Sequence, residues 1–384
     1  QEVLRSVRSA KEGNWRSREL CIVAAIDVRN AFNTARWTEI IAELQRRQVE
    51  NYLISLMMSY LEERELEVCE GTTIPMTAGV PQGSVLGPLL WNVAYDGVLR
   101  QRLPRGCRAI AYADDLVVIA IGRDLNETKA KAERAVEGIS DWMQGRGLEI
   151  APHKTKAALL IGRRKTTGTR EIDVMGVPIE LEAHIKYLGI WIDSGETWVK
   201  HVEEACRKAE ATARSIRAIM PRLGGAGDLA RRLLASVHQS VVLYGAPVWA
   251  RATRLQRVRD RLNQSQRPVL IGVTRANRTV STEALQVLAG VVPMDLQATL
   301  RSRNHGATAE ERAGNLEEVL EAWQRRWEES TKGSWTRRLI PQIRRWRDRA
   351  HGELQYTTVQ FLTGHGHFGS YLQRIGKTAS NRCQ

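Results

Sequence analysis

The sequence predicts an α+β fold in two parts. Alternating strands and helices extend to about residue 195, and a basic, mainly helical body follows. Three observations lead there. Two short apolar runs rich in β-branched residues, Glu19–Ile26 and Cys107–Ile121, read as buried strands. Thr128–Gln144 places Ala132, Ala135, Val136, Ile139, Trp142 and Met143 at i, i+3, i+4 spacing, an amphipathic helix. The charge is uneven: residues 1–200 hold 27 basic and 27 acidic side chains, while residues 201–384 hold 30 and 16, so the whole excess of +14 lies in the second half.

The 384 residues are 43% hydrophobic and 26% charged, enough apolar material for a real core and too much for a disordered tail. No run of eighteen apolar residues and no secretory leader is visible, so a membrane span is not expected. Five scattered cysteines without a CxxC pair argue against a disulfide framework and suit a reducing compartment. A start at Gln1 and a stop after Cys383 suggest a piece of something longer.

In chain order, residues 1–18 read as a polar helix, and Glu19–Ile26 as a buried strand ending on Asp27. Arg36–Tyr60 carries long helical periodicity. Glu67–Thr77 reads as a hairpin with Gly71 at its turn. Gly79–Gly83 is a loop, and Ser84 could cap a helix running to about Arg102. Cys107–Ile121 is a hairpin of two buried strands with Asp114 and Asp115 at the turn. Gly145 and Gly147 end the helix that follows. Strands resume at Ala157–Ile161, Ile172–Met175 and Tyr187–Ile192. From Trp198 helices dominate, broken at Gly224–Gly227 and around Pro293.

The carboxylates carry the chemistry. Two adjacent ionised aspartates between apolar strands repel each other and resist burial. A divalent metal with oxygen ligands resolves that conflict, and Mg²⁺ suits carboxylates together with substrate phosphates. Asp27 also ends an apolar strand and could face the same pocket. Such a site serves phosphoryl transfer: one ion activates a hydroxyl, another neutralises the leaving pyrophosphate. Taken alone, Asp114-Asp115 is equally a polar hairpin turn, and Asp27 alone is more simply a helix N-cap.

Ordered motifs break that tie. Asp27 with Ala31-Phe32, then Gly79-Val80-Pro81-Gln82-Gly83-Ser84-Val85-Leu86-Gly87-Pro88, then Tyr112-Ala113-Asp114-Asp115, resemble motifs A, B and C of reverse transcriptases. Gly147-Leu148 with Pro152-His153-Lys154-Thr155 resembles motif D, and Tyr187-Leu188-Gly189-Ile190 resembles motif E. The wording around Asp27 is similar to non-LTR retrotransposon polymerases, above all the insect type-1 elements that insert into ribosomal RNA genes. Leu243-Tyr244-Gly245-Ala246 and Arg278–Leu285 resemble the region after the polymerase core of such elements.

The resemblance implies a right-hand polymerase palm, an antiparallel sheet backed by helices, over 1–192 with partial fingers. A helical thumb or connector over 193–290 and a truncated basic nucleic-acid-binding region over 291–384 would follow. It implies Asp27, Asp114 and Asp115 as ligands of two Mg²⁺ (or Mn²⁺) ions, and Lys154 as proton donor or charge partner of the leaving pyrophosphate. Phe32 would exclude a nucleotide 2′-hydroxyl. Gln82, Gly83 and Tyr112 would contact the incoming nucleotide, and Tyr187, Leu188 and Gly189 would grip the primer. Lys154 could equally be a surface lysine, and Tyr187 and Leu188 plain core. Implied partners are an RNA template, a DNA primer or target and dNTP, at a nicked chromosomal site in the nucleus or nucleolus. An endonuclease would belong to the parent polyprotein only.

The resemblance also implies a fuller fingers region than the 26 residues before Asp27, so a chain poorly active by itself is expected. A zinc knuckle usually follows in such elements; His365, His367 and Cys383 are too sparsely paired to signal one, and the two histidines read better as a polar loop. The basic excess points to nucleic acid through Arg251, Arg254, Arg257 and Arg261, and through Arg337, Arg338, Arg344 and Arg345, the latter interleaved with Trp335 and Trp346. Solvated helical faces are the plainer alternative. A different class remains open: a nucleic-acid-binding module or inactive truncated copy that binds through the basic half without polymerising.

Overall fold

In the computed structural model, which describes residues 1–9, 19–69, 71–161, 169–218, 227–350 and 352–380, the chain divides into Gln1–Gly195 and Glu196–Gln384. The first unit is built on one strand. After helix α1 (Glu2–Ser9), the apolar run forms β1 (Leu20–Ile26). Short α2 (Ala31–Thr34), then α3 (Trp37–Arg46) and α4 (Asn51–Leu61), lead to an exposed ribbon of β2 (Glu65–Cys69) and β3 (Thr72–Pro75). Next come α5 (Gly87–Tyr95), β4 (Cys107–Tyr112), β5 (Asp115–Gly122) and the long α6 (Leu125–Gly145). The unit ends with β6 (Lys156–Ile161), β7 (Glu171–Val174), β8 (Val177–Glu182), β9 (His184–Tyr187) and β10 (Ile190–Asp193).

Six strands form one sheet in the order β4-β5-β1-β6-β8-β7. All neighbours are antiparallel except β6 and β8. β1 is apolar throughout because both of its faces are covered. Ile22, Ala24 and Ile26 join Leu116, Val118 and Ala120 and the inner side of α6 (Ala132, Ala135, Val136, Ile139, Met143) in one core. On the opposite face Cys21, Val23, Val117, Ile119, Ala158 and Leu160 are buried as well. The fold is thus α+β, an antiparallel-rich sheet backed by helices.

Several elements differ from the sequence expectation. The periodicity of Arg36–Tyr60 is two helices, because Gln48 adopts a left-handed φ of 58° between them. The helix expected to reach Arg102 ends at Tyr95 and tightens into a 3₁₀ turn over Asp96–Arg100. A Cβ at Gly97 would lie 2.6 Å from the Trp142 ring, so that turn passes tightly under α6. Tyr187–Ile192 is a hairpin, turned at Leu188 and Gly189 with φ of 47° and 77°. β8 was not anticipated: Pro178 and the alternating Glu180 and Glu182 mask a strand that lies between β6 and β7.

The second unit is helical. It comprises α7 (Val199–Ala218), α8 (Asp228–Val242), α9 (Ala246–Trp249), α10 (Gln256–Thr274), α11 (Thr282–Ala289) and α12 (Met294–Arg303). The long α13 (Ala309–Glu329) precedes four short helices: α14 (Ser334–Leu339), α15 (Ile343–Arg347), α16 (Tyr356–Thr363) and α17 (Gly369–Arg374). Leu270, Leu285, Leu288, Trp323, Trp327, Ile340 and Val359 form its core. Of the expected Gly224–Gly227 break, 224–226 lie outside the described residues. No helix of the described residues is long and apolar enough to cross a membrane.

Candidate active site at the end of the central strand

Strand register assembles the acidic side chains. β1 and β5 run antiparallel with Ile26 opposite Leu116. One step further along the same register brings Asp27 level with Asp115. β4 and β5 pair as far as Tyr112 opposite Asp115, so the two-residue turn is Ala113-Asp114. Asp115 is therefore the first residue of β5 rather than a turn residue, because its pairing with Tyr112 closes the ladder. Ala113 sits at φ 54°. A left-handed alanine costs about 1–2 kcal/mol, so the surrounding ladder holds the turn against its local preference.

Asp27 and Asp114 are half-buried and Asp115 is open to solvent at its tip. Partial burial, and then the negative charges of Asp114 and Asp27, push the Asp115 carboxyl above the usual range. Three acids are thus within electrostatic reach of one another.

A second segment frames them. Arg29 N–H donates to Glu149 O at 2.8 Å, and Ala151 N–H donates to Asp27 O at 2.8 Å. Val28 bridges Ile150 between them. A single 3₁₀ turn, Pro152–Lys154, then bulges out before β6 begins. It leaves Lys154 Nζ 3.7 Å from Asp27 Oδ2. Both side chains are well exposed, so the pair adds little stability by itself. Among the described residues Lys154 is the only ion-pair partner of the three aspartates.

The donor set suits a hard divalent cation: carboxylate oxygens, crowded and without full cationic compensation. Among the described residues no three His, Cys, Asp or Glu side chains close into a preformed metal cage.

The wall beside the carboxylates is aromatic. Phe32, on α2, packs on Trp91 with ring centroids 5.0 Å apart. Trp91 stacks on Tyr95 at 4.8 Å, and Tyr95 meets Trp142 edge-on at 6.2 Å. The Gly79–Gly83 loop is tied to α2: Val80 N–H donates to Phe32 O and Gly79 N–H to Ala35 O, both at 2.8 Å. The Trp37 indole N–H donates to Gly79 O at 2.8 Å. Gly79 has φ 95°, and a Cβ there would stand 2.9 Å from Asn33 O. Only glycine fits that approach. Gln82 and Gly83 are exposed at the loop tip. Ser84 Oγ accepts from Gly87 N–H at 2.8 Å, but the N-cap position of α5, which begins at Gly87, is held by Leu86 rather than by Ser84.

Tyr112 is 67% exposed on the edge strand β4. Tyr187 lies at the end of β9, and burial followed by the Asp115 charge pushes its hydroxyl up to about 12. Leu188 and Gly189 form the turn beyond it.

Sequence reasoning missed Trp91 and Tyr95. Tyr95 is 3% exposed, and its hydroxyl has no hydrogen-bond partner among the described residues. Burial, then Asp114 and Asp115, push that hydroxyl far above the usual range. The available signal was two aromatic residues at i, i+4 spacing after Gly87-Pro88, which place both rings on one helix face.

The eight arginines singled out from the basic half separate into two groups. Arg261 is engaged by Glu203 at 2.9 Å and Glu210 at 2.6 Å and is largely buried. Arg337 donates to Trp327 O and Ser330 O, and Arg344 pairs with Glu317. Arg261 and Arg337 are thus held within the fold, whereas Arg344 makes its ion pair at the surface. Arg251, Arg254, Arg257, Arg338 and Arg345 are exposed. His365 Nδ1 lies 2.7 Å from Thr363 O; Cys383 lies outside the described residues.

Comparison with known proteins adds the following. Residues 1–192 match the family described as "Reverse transcriptase (RNA-dependent DNA polymerase)". The chain is 29% identical over 385 residues to a 115 kDa protein in type-1 retrotransposable element R1DM of Drosophila melanogaster, covering 93% of this chain and 37% of the relative. It is 27% identical over 383 residues to a Pol polyprotein from type-1 element R1 of Bradysia coprophila, covering 93% of this chain and 38% of the relative. A Pol polyprotein from an R1 element of Nasonia vitripennis is 29% identical over 322 residues, with 77% of this chain and 94% of the relative covered. The chain thus spans under two-fifths of the length of the first two.

Proposed function

The chain belongs to the reverse transcriptase family, and on that premise we propose that it is the RNA-directed DNA polymerase portion of a non-LTR retrotransposon Pol polyprotein. It extends a DNA 3′-hydroxyl on an RNA template using dNTP. The observation that carries this reading is the register of β1, β4 and β5, which gathers Asp27, Asp114 and Asp115 at one sheet end.

Asp27, Asp114 and Asp115 would hold Mg²⁺, or Mn²⁺, which when bound supplies Lewis acidity and neutralises phosphate charge. The residues do the rest. Phe32 bars a 2′-hydroxyl from the sugar position, and its backing by Trp91 keeps the ring from swinging aside. The main chain of Gly79–Gly83 lets a nucleotide approach closely, with Gln82 at the tip. Tyr112 borders the nucleotide from β4. Lys154, beside Asp27, offsets the charge of the leaving pyrophosphate or protonates it. Tyr187, Leu188 and Gly189 steady the primer end. Residues 1–192 serve as palm with part of the fingers, 193–290 as thumb or connector, and 291–384 as a nucleic-acid-binding region. Action at a chromosomal target places the protein in the nucleus.

Primer extension on poly(rA)/oligo(dT), with a protein in which the fuller fingers region is restored, tests the reading. Incorporation should require a divalent cation and vanish in Asp114→Ala. Unchanged incorporation in that variant overturns it. A Mn²⁺-dependent rise in melting temperature, lost in the same variant, tests ion holding without catalysis.

A further inference from the structure

We propose that the last helices of the second unit, α14, α16 and α17, form a stacking platform for the unpaired bases of single-stranded nucleic acid. The motivating feature is an aromatic cluster left at the surface. Trp335 is 44% and Phe361 51% exposed. Their rings meet edge-to-face at 6.5 Å, and Phe361 meets Phe368 in the same way at 6.3 Å. Tyr371, on α17, is half-buried nearby in sequence. Rings this large, grouped and exposed, lose the hydrophobic gain of burial, and clustered apolar surface of this kind marks a contact site.

The chemistry of the occupant follows from what the rings leave free. The Trp335 indole N–H already donates to Phe361 O at 2.8 Å. The Tyr371 hydroxyl is 3.0 Å from Thr279 Oγ1. With those polar edges satisfied internally, the cluster offers a partner mainly π faces. A guanidinium lies over two of the rings, Arg338 at 6.0 Å from the Trp335 centroid and Arg374 at 5.2 Å from that of Tyr371, which His365 also meets at 4.8 Å, so the most open face is that of Phe361. Both arginines are exposed. Residues 331–380 carry nine Lys or Arg against two acidic residues, Asp348 and Glu353. Flat faces beside phosphate-binding forks, in a strongly positive setting, match bases on a polyanionic backbone. Stacked duplex bases hide those faces, so the fit is to single strands. An acidic peptide would satisfy the charge but leave the rings uncovered.

This reading goes beyond polymerisation and does not need it. The test is fluorescence anisotropy of the full chain with a 20-nucleotide RNA, a DNA of the same sequence, and the corresponding blunt duplex. Phe361→Leu keeps an apolar side chain and removes the π face. It should weaken both single strands about tenfold and leave the duplex within twofold. Phe361→Tyr should restore wild-type affinity. Arg338→Gln, a surface change that spares the packing, should reduce the salt slope of single-strand binding by about one. Single-strand affinity unchanged in both Phe361→Leu and Arg338→Gln overturns the proposal. So does an equal loss on single strands and duplex in a Phe361→Leu protein whose melting temperature is unaltered. Primer extension measured on the same proteins distinguishes failure here from failure of the polymerase reading.

Discussion

Two acidic sites, one in each unit, are built on opposite principles. At the end of β1, Asp27, Asp114 and Asp115 crowd together with one loosely held lysine among them. In the helical unit, Asp295 is 2% exposed and fully answered: Arg326 grips it through both guanidinium nitrogens at 2.9 Å, and Asn263 Nδ2 donates at 2.9 Å. Glu43 repeats the second pattern beside the sheet, with Arg46, Arg47 and Arg100 around one buried carboxylate. A carboxylate that the fold neutralises is a structural part. One that the fold leaves uncompensated, among others of its kind, is kept for something that arrives later.

The largest expected effect breaks the acidic crowd. Asp115→Asn should lower primer extension by on the order of 10³-fold, several kcal/mol of lost transition-state stabilisation. It should not lower the melting temperature at pH 7. The Asp115 carboxyl is raised in the fold, so its contribution to stability falls as pH climbs from the ordinary carboxylate value through the raised one. The amide removes that loss. A variant that melts well below the parent would mean that the crowd is structural after all.

The next effect concerns groups that the helical unit buries uncharged. Burial holds His201 and His238 near pKa 4, against about 6.5 when unfolded. Between those values the unfolded chain binds protons that the fold refuses. Stability should therefore fall as pH drops from about 6.5 to about 4, by about 3 kcal/mol per imidazole, and stay level above that window. Urea melts of the parent and His238→Gln across this range check it; the substitution should flatten the slope.

A smaller effect tests the answered carboxylate. Desolvation raises Glu43, but the hydrogen bonds from Arg46, Arg100 and Arg47 outweigh it and hold the group at about 2. Its contribution is present above about 4.5 and is lost as pH falls through about 2. The three arginines are 37–55% exposed, so screening leaves only about 1–2 kcal/mol. Glu43→Gln should cost that much at pH 7 in a denaturant titration. The smallest effect is Lys154→Met: a several-fold slower extension with an unchanged melting temperature, since the lysine touches Asp27 only through solvent-exposed atoms.

How much of this was readable beforehand depended on range. β1 and the β4–β5 hairpin were legible because apolar strands stop at carboxylates, and α6 because its periodicity is long. What failed was local backbone sign. Gln48 and Leu188 adopt positive φ without being glycine, so one helix proved to be two and one strand proved to be a hairpin. The ordered motifs located the site, but not the column from Phe32 to Trp142, whose members lie up to 110 residues apart. The basic clusters were visible as composition. Which arginines the fold itself uses was not, because the Arg261 partners Glu203 and Glu210 lie more than 50 residues away.

The position of β1 at the middle of its sheet bears on how the protein is made. Leu20–Ile26 finds its two neighbours only in β5 and β6, about 90 and about 130 residues downstream. At a translation rate of roughly 5–20 residues per second, this greasy segment waits on the order of 5–25 seconds after synthesis with no edge to dock on. Newly emerging chains should therefore lean on holdase chaperones during that interval, and slowing the ribosome between codons 30 and 160 should raise the fraction that aggregates.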